Sequence, residues 1–405
     1  MSANHLINRF LFEKLSKTIK SGKSTLLLGP RQVGKSTLIR NLLSESFSFD
    51  SILLQNPELR LKYERDPSML IKEYSITKTD EVIFIDEIQK VPQLFDSVQY
   101  LIDEHNKKFI LTGSSARKLR RSQQNLLPGR LMLEHLDPLM WGELGYLKDN
   151  LVPEIAMENV GDEIEFDINQ NLIYGSLPEL VTINENEREK LLKSYSTIYL
   201  EEEIRAEAIS RNIGVFSSFL QMIAEESGGS PNFSKLASLT GMSVITIKEY
   251  FQVLSDTLIT ISLPAFTDSP RRRLAKTPKY YFFDIGVRNA TADLPINGNI
   301  LKFQKGKLFE HFVILELFRR QNVNDNFKLS YWRTQNGLEV DLIIETNNKI
   351  IPIEIKSGEN ISLNQLNGLN KFMEENKIKQ GYVISMDKKP YKLDNKITVL
   401  PWTHI

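Results

Sequence analysis

The chain has 405 residues, 41% of them hydrophobic, which is enough to bury several cores; at about 150 residues per domain it is expected to form two or three domains. It carries 51 basic and 51 acidic residues, five histidines and no cysteine, which excludes disulfides, zinc–thiolate sites and thiol nucleophiles and fits a reducing compartment. With no net charge, any nucleic-acid partner must be held by a local patch. No apolar run approaches the ~18 residues that span a bilayer, and the first residues lack the order of a secretory signal. A soluble, cytoplasmic protein with no membrane partner is therefore expected.

Residues 1–140 alternate apolar β-rich runs with helical segments: 24–28, 35–43, 52–54, 82–85, 98–104 and 109–111. Such alternation predicts a parallel sheet flanked by helices. Residues 149–170 hold seven acids and no base, a composition that predicts a solvated excursion. Residues 186–226 have a helical pattern. Residues 233–239, the turn Thr240-Gly241-Met242, and 243–254 predict helix, tight turn and helix, with Ser243 as the second N-cap. A strand at 259–266 and the basic run Arg271, Arg272, Arg273, Lys276, Lys279 then resemble the β-wing of a winged helix. From about residue 302 the order is helix (309–320), strands (329–333, 339–344, 350–356), helix (363–375) and strands near 381–385 and 398–401, a further α/β unit.

The pattern G-x-x-x-x-G-K-[ST] runs through Gly29, Pro30, Arg31, Gln32, Val33, Gly34, Lys35 and Ser36, with Thr37 following. It lies directly after an apolar strand and before a helix, which is the context the motif needs. Its glycines let backbone N–H groups wrap a phosphate chain, and the helix N-terminus faces the anion. Lys35 is expected to reach the β and γ phosphates, and Ser36 to ligate Mg²⁺. The similar Gly22-Lys23-Ser24-Thr25 lacks the first glycine and precedes a strand, so it is read as a turn. About fifty residues on, Val82-Ile83-Phe84-Ile85-Asp86-Glu87 delivers two carboxylates from the end of a buried strand. Asp86 is expected to hold Mg²⁺, and Glu87 to orient or polarise the attacking water. Thr112 and Ser114, at the end of the next strand, are candidates to sense the γ-phosphate. Arg130, in preference to Arg117, is the candidate to reach a neighbouring subunit's nucleotide as an arginine finger.

Gly-Pro-Arg-Gln-Val-Gly-Lys-Ser, Phe-Ile-Asp-Glu-Ile-Gln-Lys, Leu-Thr-Gly-Ser-Ser, Gly129-Arg130 and Gly175-Ser176-Leu177-Pro178-Glu179 together resemble the archaeal and bacterial AAA-superfamily ATPases. More narrowly, the chain is similar to those with a C-terminal domain of restriction-endonuclease-like fold. The resemblance spans nearly the whole chain and implies a P-loop AAA parallel-sheet core (1–145), a helical lid and linker (146–210), a winged helix (211–300) and the restriction-endonuclease-like α/β domain (301–405). It implies ATP and Mg²⁺ at the residues just named, in a homo-oligomer. The family's Gly-Gly before Pro-Glu is here Gly175-Ser176.

A winged helix sets its second helix in a major groove and tracks phosphates with its wing. Thr246 and Lys248 are then expected to face outward as readers, and Arg271, Arg272, Arg273, Lys276 and Lys279 to neutralise DNA or RNA phosphates. No aromatics interleave the basic run, so stacking on single strands is not indicated. In the C-terminal unit, Asp341 on one strand followed by Glu354-Ile355-Lys356 on its neighbour resembles the nuclease motif in which two carboxylates hold a divalent cation and the lysine handles water. Residues two apart on a strand share a face, so Glu354 and Lys356 project together. Glu310 on the preceding helix is the expected extra acid, with Gln365 a further candidate, and metal-bound water attacking a phosphodiester is the chemistry such a set would support. The expectation is an ATP-driven machine on nucleic acid, in repair, branched-DNA processing or defence, whose C-terminal domain binds or cuts DNA with a second divalent cation at Asp341 and Glu354. The competing expectation is a nucleotide-controlled signalling or scaffold ATPase that binds protein partners. A third is vestigial hydrolysis, with nucleotide bound tightly and not turned over.

Overall fold

The computed structural model of the chain describes residues 7–77, 81–114, 129–144, 166–199, 213–267 and 276–405. Arg117, Arg271, Arg272 and Arg273 lie outside the described residues, as does most of the acidic stretch 149–170. The chain forms two compact units. One comprises Met1–Leu139 with Leu177–Glu179 and Gln252–Ile259; the other comprises Met140–Ser176, Leu180–Phe251 and Thr260–Ile405.

The first unit opens with α1 (Leu11–Lys20), then runs β1 (Ser24–Leu28), α2 (Lys35–Ser46), β2 (Phe49–Leu53), α3 (Pro57–Arg65), α4 (Met69–Tyr74), β3 (Val82–Asp86), α5 (Leu94–His105), β4 (Lys108–Gly113) and β5 (Leu131–His135). The five strands form one parallel sheet in the order β2-β3-β4-β1-β5. Every residue of β1 and β3 is buried, whereas β2 and β5, at the edges, are half solvated. This explains why the central strands read as unbroken apolar runs, since a parallel sheet is covered on both faces. The core gathers Leu26, Ile83, Ile85, Leu94, Phe95, Val98 and Phe109 from strands and α5. Register pairs Leu28 with Gly113 and Leu53 with Asp86, so the loop after β1, Asp86 and the end of β4 share the carboxyl edge of the sheet. Strand order reverses beside β1, the place where open α/β sheets receive ligands.

The second unit begins with α6 (Ile168–Tyr174), α7 (Pro178–Thr182) and α8 (Glu185–Ser194), and continues with α9 (Ile213–Glu225), α10 (Phe233–Thr240) and α11 (Val244–Asp256), some of whose residues fall to the first unit. Gly241 closes α10 in the left-handed region, and the Ser243 hydroxyl accepts the Thr246 N–H at 3.1 Å, so it caps α11 as the sequence predicts. An antiparallel hairpin follows, β6 (Thr260–Leu263) with β7 (Lys279–Phe282), then α12 (Ile285–Thr291) and the long α13 (Leu301–Val323). The remaining elements are β8 (Phe327–Arg333), β9 (Glu339–Thr346), β10 (Ile350–Lys356), α14 (Asn367–Glu375), β11 (Gly381–Ser385), β12 (Tyr391–Lys392) and β13 (Ile397–Pro401). Their strands form a mixed sheet, β12-β13-β11-β10-β9-β8. The face of α14 bearing Leu369, Phe372 and Met373 packs on Val340, Ile343, Val383 and Val399. The Gly-to-Ser departure has a structural role: Ser176 gives its N–H to the Asp284 carboxylate at 2.8 Å, and its hydroxyl accepts from Arg319 Nη1 at 2.8 Å.

Candidate functional site

The loop between β1 and α2 is built to receive an anion. Gln32 (φ 64°) and Gly34 (φ 91°) are both left-handed, the alternation that turns successive N–H groups into a concave nest. Gly29 sits so close to β5 that a Cβ there would lie 2.2 Å from the Leu136 carbonyl oxygen; any side chain would push the loop off its strand. Lys35 is buried, and its ammonium donates to the carbonyls of Gly29 at 2.9 Å and Pro30 at 2.8 Å. Those bonds hold the charge at the loop's mouth. Val33 packs into the core, while Arg31 is half-buried and Thr37 exposed.

Beside this cradle the acidic strand end is fully wired. The Ser36 hydroxyl donates to the Asp86 carboxylate, 2.8 Å from both oxygens, and Thr112 Oγ1 donates to Asp86 Oδ1 at 2.5 Å. Ser36 and Asp86 thus present hard oxygen donors at the helix N-terminus, the chemistry that Mg²⁺ prefers. Glu87 occupies the left-handed region (φ 61°) without being glycine, a conformation that costs on the order of 1 kcal/mol and marks functional sites. Its N–H donates to Thr112 Oγ1 at 3.1 Å. Its carboxylate takes a short hydrogen bond from Gln89 Nε2 and one of 3.4 Å from Ser114 Oγ, and Gln89 Nε2 also donates to Ser114 Oγ at 2.9 Å. The structure therefore brings together Lys35, Ser36, Asp86, Glu87, Thr112 and Ser114.

Two residues of this site were given no role by the sequence. Gln89, two positions beyond Glu87 and 5% exposed, holds the glutamate from a 3₁₀ turn (Ile88–Lys90). Arg9, 9% exposed, donates to the Val33 carbonyl at 2.9 Å and the Asp137 carbonyl at 2.6 Å, bracing the phosphate loop from outside. Gln89 lies within the Phe84–Lys90 run and Arg9 in no motif, and it is their hydrogen bonds in the fold that give them roles. Arg130 is placed elsewhere. It precedes Leu131, which pairs with Ser24 at the start of β1, so it lies at the opposite edge of the sheet from the phosphate loop. There its Nε donates to Asp103 Oδ1 at 2.6 Å, and that bond holds the Asp103 carboxyl below its usual range.

The basic and acidic residues of the second unit differ from expectation in two respects. Lys248 and Lys276 are exposed, Lys248 with its ammonium 5.5 Å from the Phe233 ring, and Thr246 shares a 2.9 Å hydrogen bond with Ser243. Lys279, expected on a solvated wing, is instead 4% exposed. Its Nζ donates to Glu310 Oε1 at 3.2 Å and pairs with Glu339 Oε1. Burial opposes its charge, but Glu310, Asp341 and Glu339 outweigh burial and hold the ammonium well above its ordinary range. It is therefore corrected from a phosphate contact to an internal ion-pair residue.

The second correction concerns the divalent cation at Asp341 and Glu354. Register pairs Ile353 with Leu342 across β10 and β9. Beyond that pair, the Asp341 carboxylate takes the Ile355 N–H at 2.8 Å, and Glu354 Oε1 takes Lys356 Nζ at 2.6 Å. Burial first, then the neighbouring acids Glu354 and Glu310, push the Asp341 carboxyl well above its usual range. Burial raises Glu354 likewise, against the pull of Lys356. Gln365 is exposed and accepts the Ser362 N–H at 3.3 Å as a helix cap. Among the described residues no group of three or more His, Cys, Asp or Glu side chains is arranged to hold a metal, and Glu310 is already taken by Lys279 and Tyr281. As it stands the cluster does not fit a second divalent ion.

Comparison with known proteins agrees with the nucleotide site. Residues 21–145 match the family model of an AAA domain, residues 165–297 a domain of unknown function (DUF8612), and residues 305–405 a domain of unknown function (DUF4143). An uncharacterized protein of Methanocaldococcus jannaschii is 26% identical over 97% of this chain and 86% of its own length. One of Mycobacterium tuberculosis is 25% identical over 87% of this chain and 74% of its own. Among solved structures, the Walker-type ATPase of Pyrococcus abyssi aligns with a TM-score of 0.49 at 16% identity, covering 71% of this chain and 97% of that one. The RuvB Holliday junction branch migration motor of Thermotoga maritima gives 0.30 at 17%, covering 75% and 97%. The AAA-domain match, residues 21–145, is the segment that holds the Gly29–Ser36 loop, Asp86 and Glu87.

Proposed function

We propose that the chain is a Mg²⁺-dependent ATPase that works on nucleic acid. The observation that carries the ATPase part is the joined set Ser36–Asp86–Thr112–Glu87 at the mouth of the Gly29–Ser36 loop. Loop N–H groups and Lys35 bind and orient the phosphates. Ser36 and Asp86 would hold Mg²⁺, which on binding supplies positive charge to the phosphate oxygens. Glu87 orients and polarises the attacking water, and Thr112 ties its backbone to Asp86 so that the two carboxylates move as one unit. Gln89 and Ser114 hydrogen-bond the Glu87 carboxylate and set its position for that water.

The nucleic-acid part is supported by the helix–turn–helix of α10 and α11 followed by a hairpin, read as a winged helix, and by the exposed Lys248 and Lys276 beside the basic sequence run. The restriction-endonuclease-like reading of the C-terminal sheet belongs here as a binding module that does not cleave. The test is a duplex-DNA shift at several salt concentrations, with the triple variant Arg271→Ala/Arg272→Ala/Arg273→Ala. The proposal expects a shift that weakens steeply with salt and a shallower salt slope in the variant. No shift at low salt sinks the nucleic-acid part.

One observation favours a second reading, a nucleotide-controlled scaffold with a protein partner. Leu239 and Ile245 are 62% and 71% exposed on the two helices flanking the turn, with Val244 beside them. An apolar tip of this kind suits a protein surface better than a phosphate backbone. Leu239→Ser/Ile245→Ser should leave a DNA shift intact if the tip serves a protein.

A further inference from the structure

The acids of the C-terminal sheet meet a cation that their own motif does not contain. Lys279, from β7, is buried against Glu310 of α13 and Glu339 of β9. Tyr281 shares a face of the same strand and donates its hydroxyl to the same Glu310 oxygen at 2.8 Å. Glu310 is thus tied to β7 by two side chains. Asp341 shares a face of β9 with Glu339, one strand over from Glu354. Glu354 is 6% exposed; one of its oxygens takes Lys356, and the other, Oε2, is buried with no hydrogen-bond partner.

A buried carboxylate oxygen without a partner is costly, and four acids meet two ammonium groups and the exposed Arg333 guanidinium at Glu339, which leaves one negative charge in excess. Such a cluster calls for a cation. An ammonium group and a divalent ion seek the same oxygens, the one through three hydrogen bonds and the other through direct ligation, so they exclude each other sterically and electrostatically. Lys279 reaches the cluster from outside the sheet, on the strand that follows the basic run.

We propose that the Lys279 ammonium is the resident cation of the Glu310–Glu339–Asp341–Glu354 cluster, and that removing it converts the cluster into a divalent-cation site. This rests on reading the Asp341–Glu354 pair as a place for a cation. In the native chain the ammonium supplies the positive charge and bars the divalent ion, so the acids of the C-terminal sheet persist without metal chemistry. Lys279 also ties the hairpin to the sheet, so displacing it requires moving the hairpin.

The experiment is calorimetric titration of Mn²⁺ into the full nucleotide-free chain and into Lys279→Gln, each with and without Asp341→Asn, alongside thermal melts with and without Mn²⁺. The expected result is no Asp341-dependent binding in the wild type. Lys279→Gln should bind at least about tenfold more tightly, a gain of roughly 1.4 kcal/mol, should lose that binding with Asp341→Asn, and should melt higher in Mn²⁺. Equal Asp341-dependent binding with and without Lys279 overturns the proposal while leaving a cation site at Asp341–Glu354. Absence of Asp341-dependent binding in both overturns the proposal and the cation reading together. Should Lys279→Gln fail to fold, Lys279→Gln/Glu310→Gln removes one charge of each sign and is judged by the same outcomes.

Discussion

Two carboxylate clusters among the described residues are neutralised in opposite ways. At the end of β3, Asp86 is met by hydroxyls, Ser36 and Thr112, which are neutral and exchangeable. In the C-terminal sheet, Glu310 and Glu339 are met by a buried ammonium, Lys279. Hydroxyl partners leave an acid ready to take a metal and phosphate; a fixed ammonium supplies the counter-charge in advance. The lesson is that an acidic motif locates negative charge, and the residue meeting that charge decides whether chemistry follows.

The largest effect that would break this contrast is on turnover. Glu87→Gln should lower steady-state phosphate release about a hundredfold or more, with nucleotide affinity, read by fluorescent-nucleotide titration, little changed. Next is Gly29→Ala, whose Cβ would meet the Leu136 carbonyl at 2.2 Å. It should cost about 2–4 kcal/mol in denaturant unfolding and abolish nucleotide binding.

The C-terminal region should in turn be acid-sensitive through a residue outside the cluster's charges. His311 is 2% exposed, with Nε2 2.7 Å from the Phe282 carbonyl oxygen, and burial pushes it down to about 3. A depressed histidine is neutral when folded, so its contribution is fully present above about pH 6.5 and is lost as pH falls below that, by roughly 1.4 kcal/mol per unit. Denaturant melts at pH 7 and pH 5 should show this slope, and His311→Gln should flatten it. A smaller effect is expected at Gln89. Gln89→Ala should lower kcat about tenfold with KM nearly unchanged, because the glutamate it positions binds no substrate tightly. Smallest is Arg130→Ala, an exposed ion pair at the far edge of the sheet; the melting temperature should stay at its wild-type value.

What the sequence made legible was local. Gly29 to Ser36 and Asp86-Glu87 are contiguous, and their flanking strands are buried on both faces, so pattern and position coincide. β10 and β11 were likewise readable as short apolar runs closed by turns. β5 was missed, because an edge strand with Met132 and Leu133 half exposed has no sustained apolar run. Lys279 was misplaced because a basic run predicts solvent, whereas its partners lie 31 and 60 positions further on. Gln89, inside the Phe84–Lys90 run, and Arg9, in no motif, had no role for the same reason: a single polar residue acquires its meaning from the carboxylate or backbone carbonyl it meets in the fold.

The central claim is that the Asp86–Glu87 strand end turns over ATP. Phosphate release with Mg²⁺-ATP, with and without duplex DNA, comparing the wild type with Glu87→Gln, tests it most directly. Wild-type turnover should be stimulated by DNA and abolished by Glu87→Gln. Release that Glu87→Gln leaves at the wild-type rate, or a wild type that binds nucleotide and never hydrolyses it, would contradict the account.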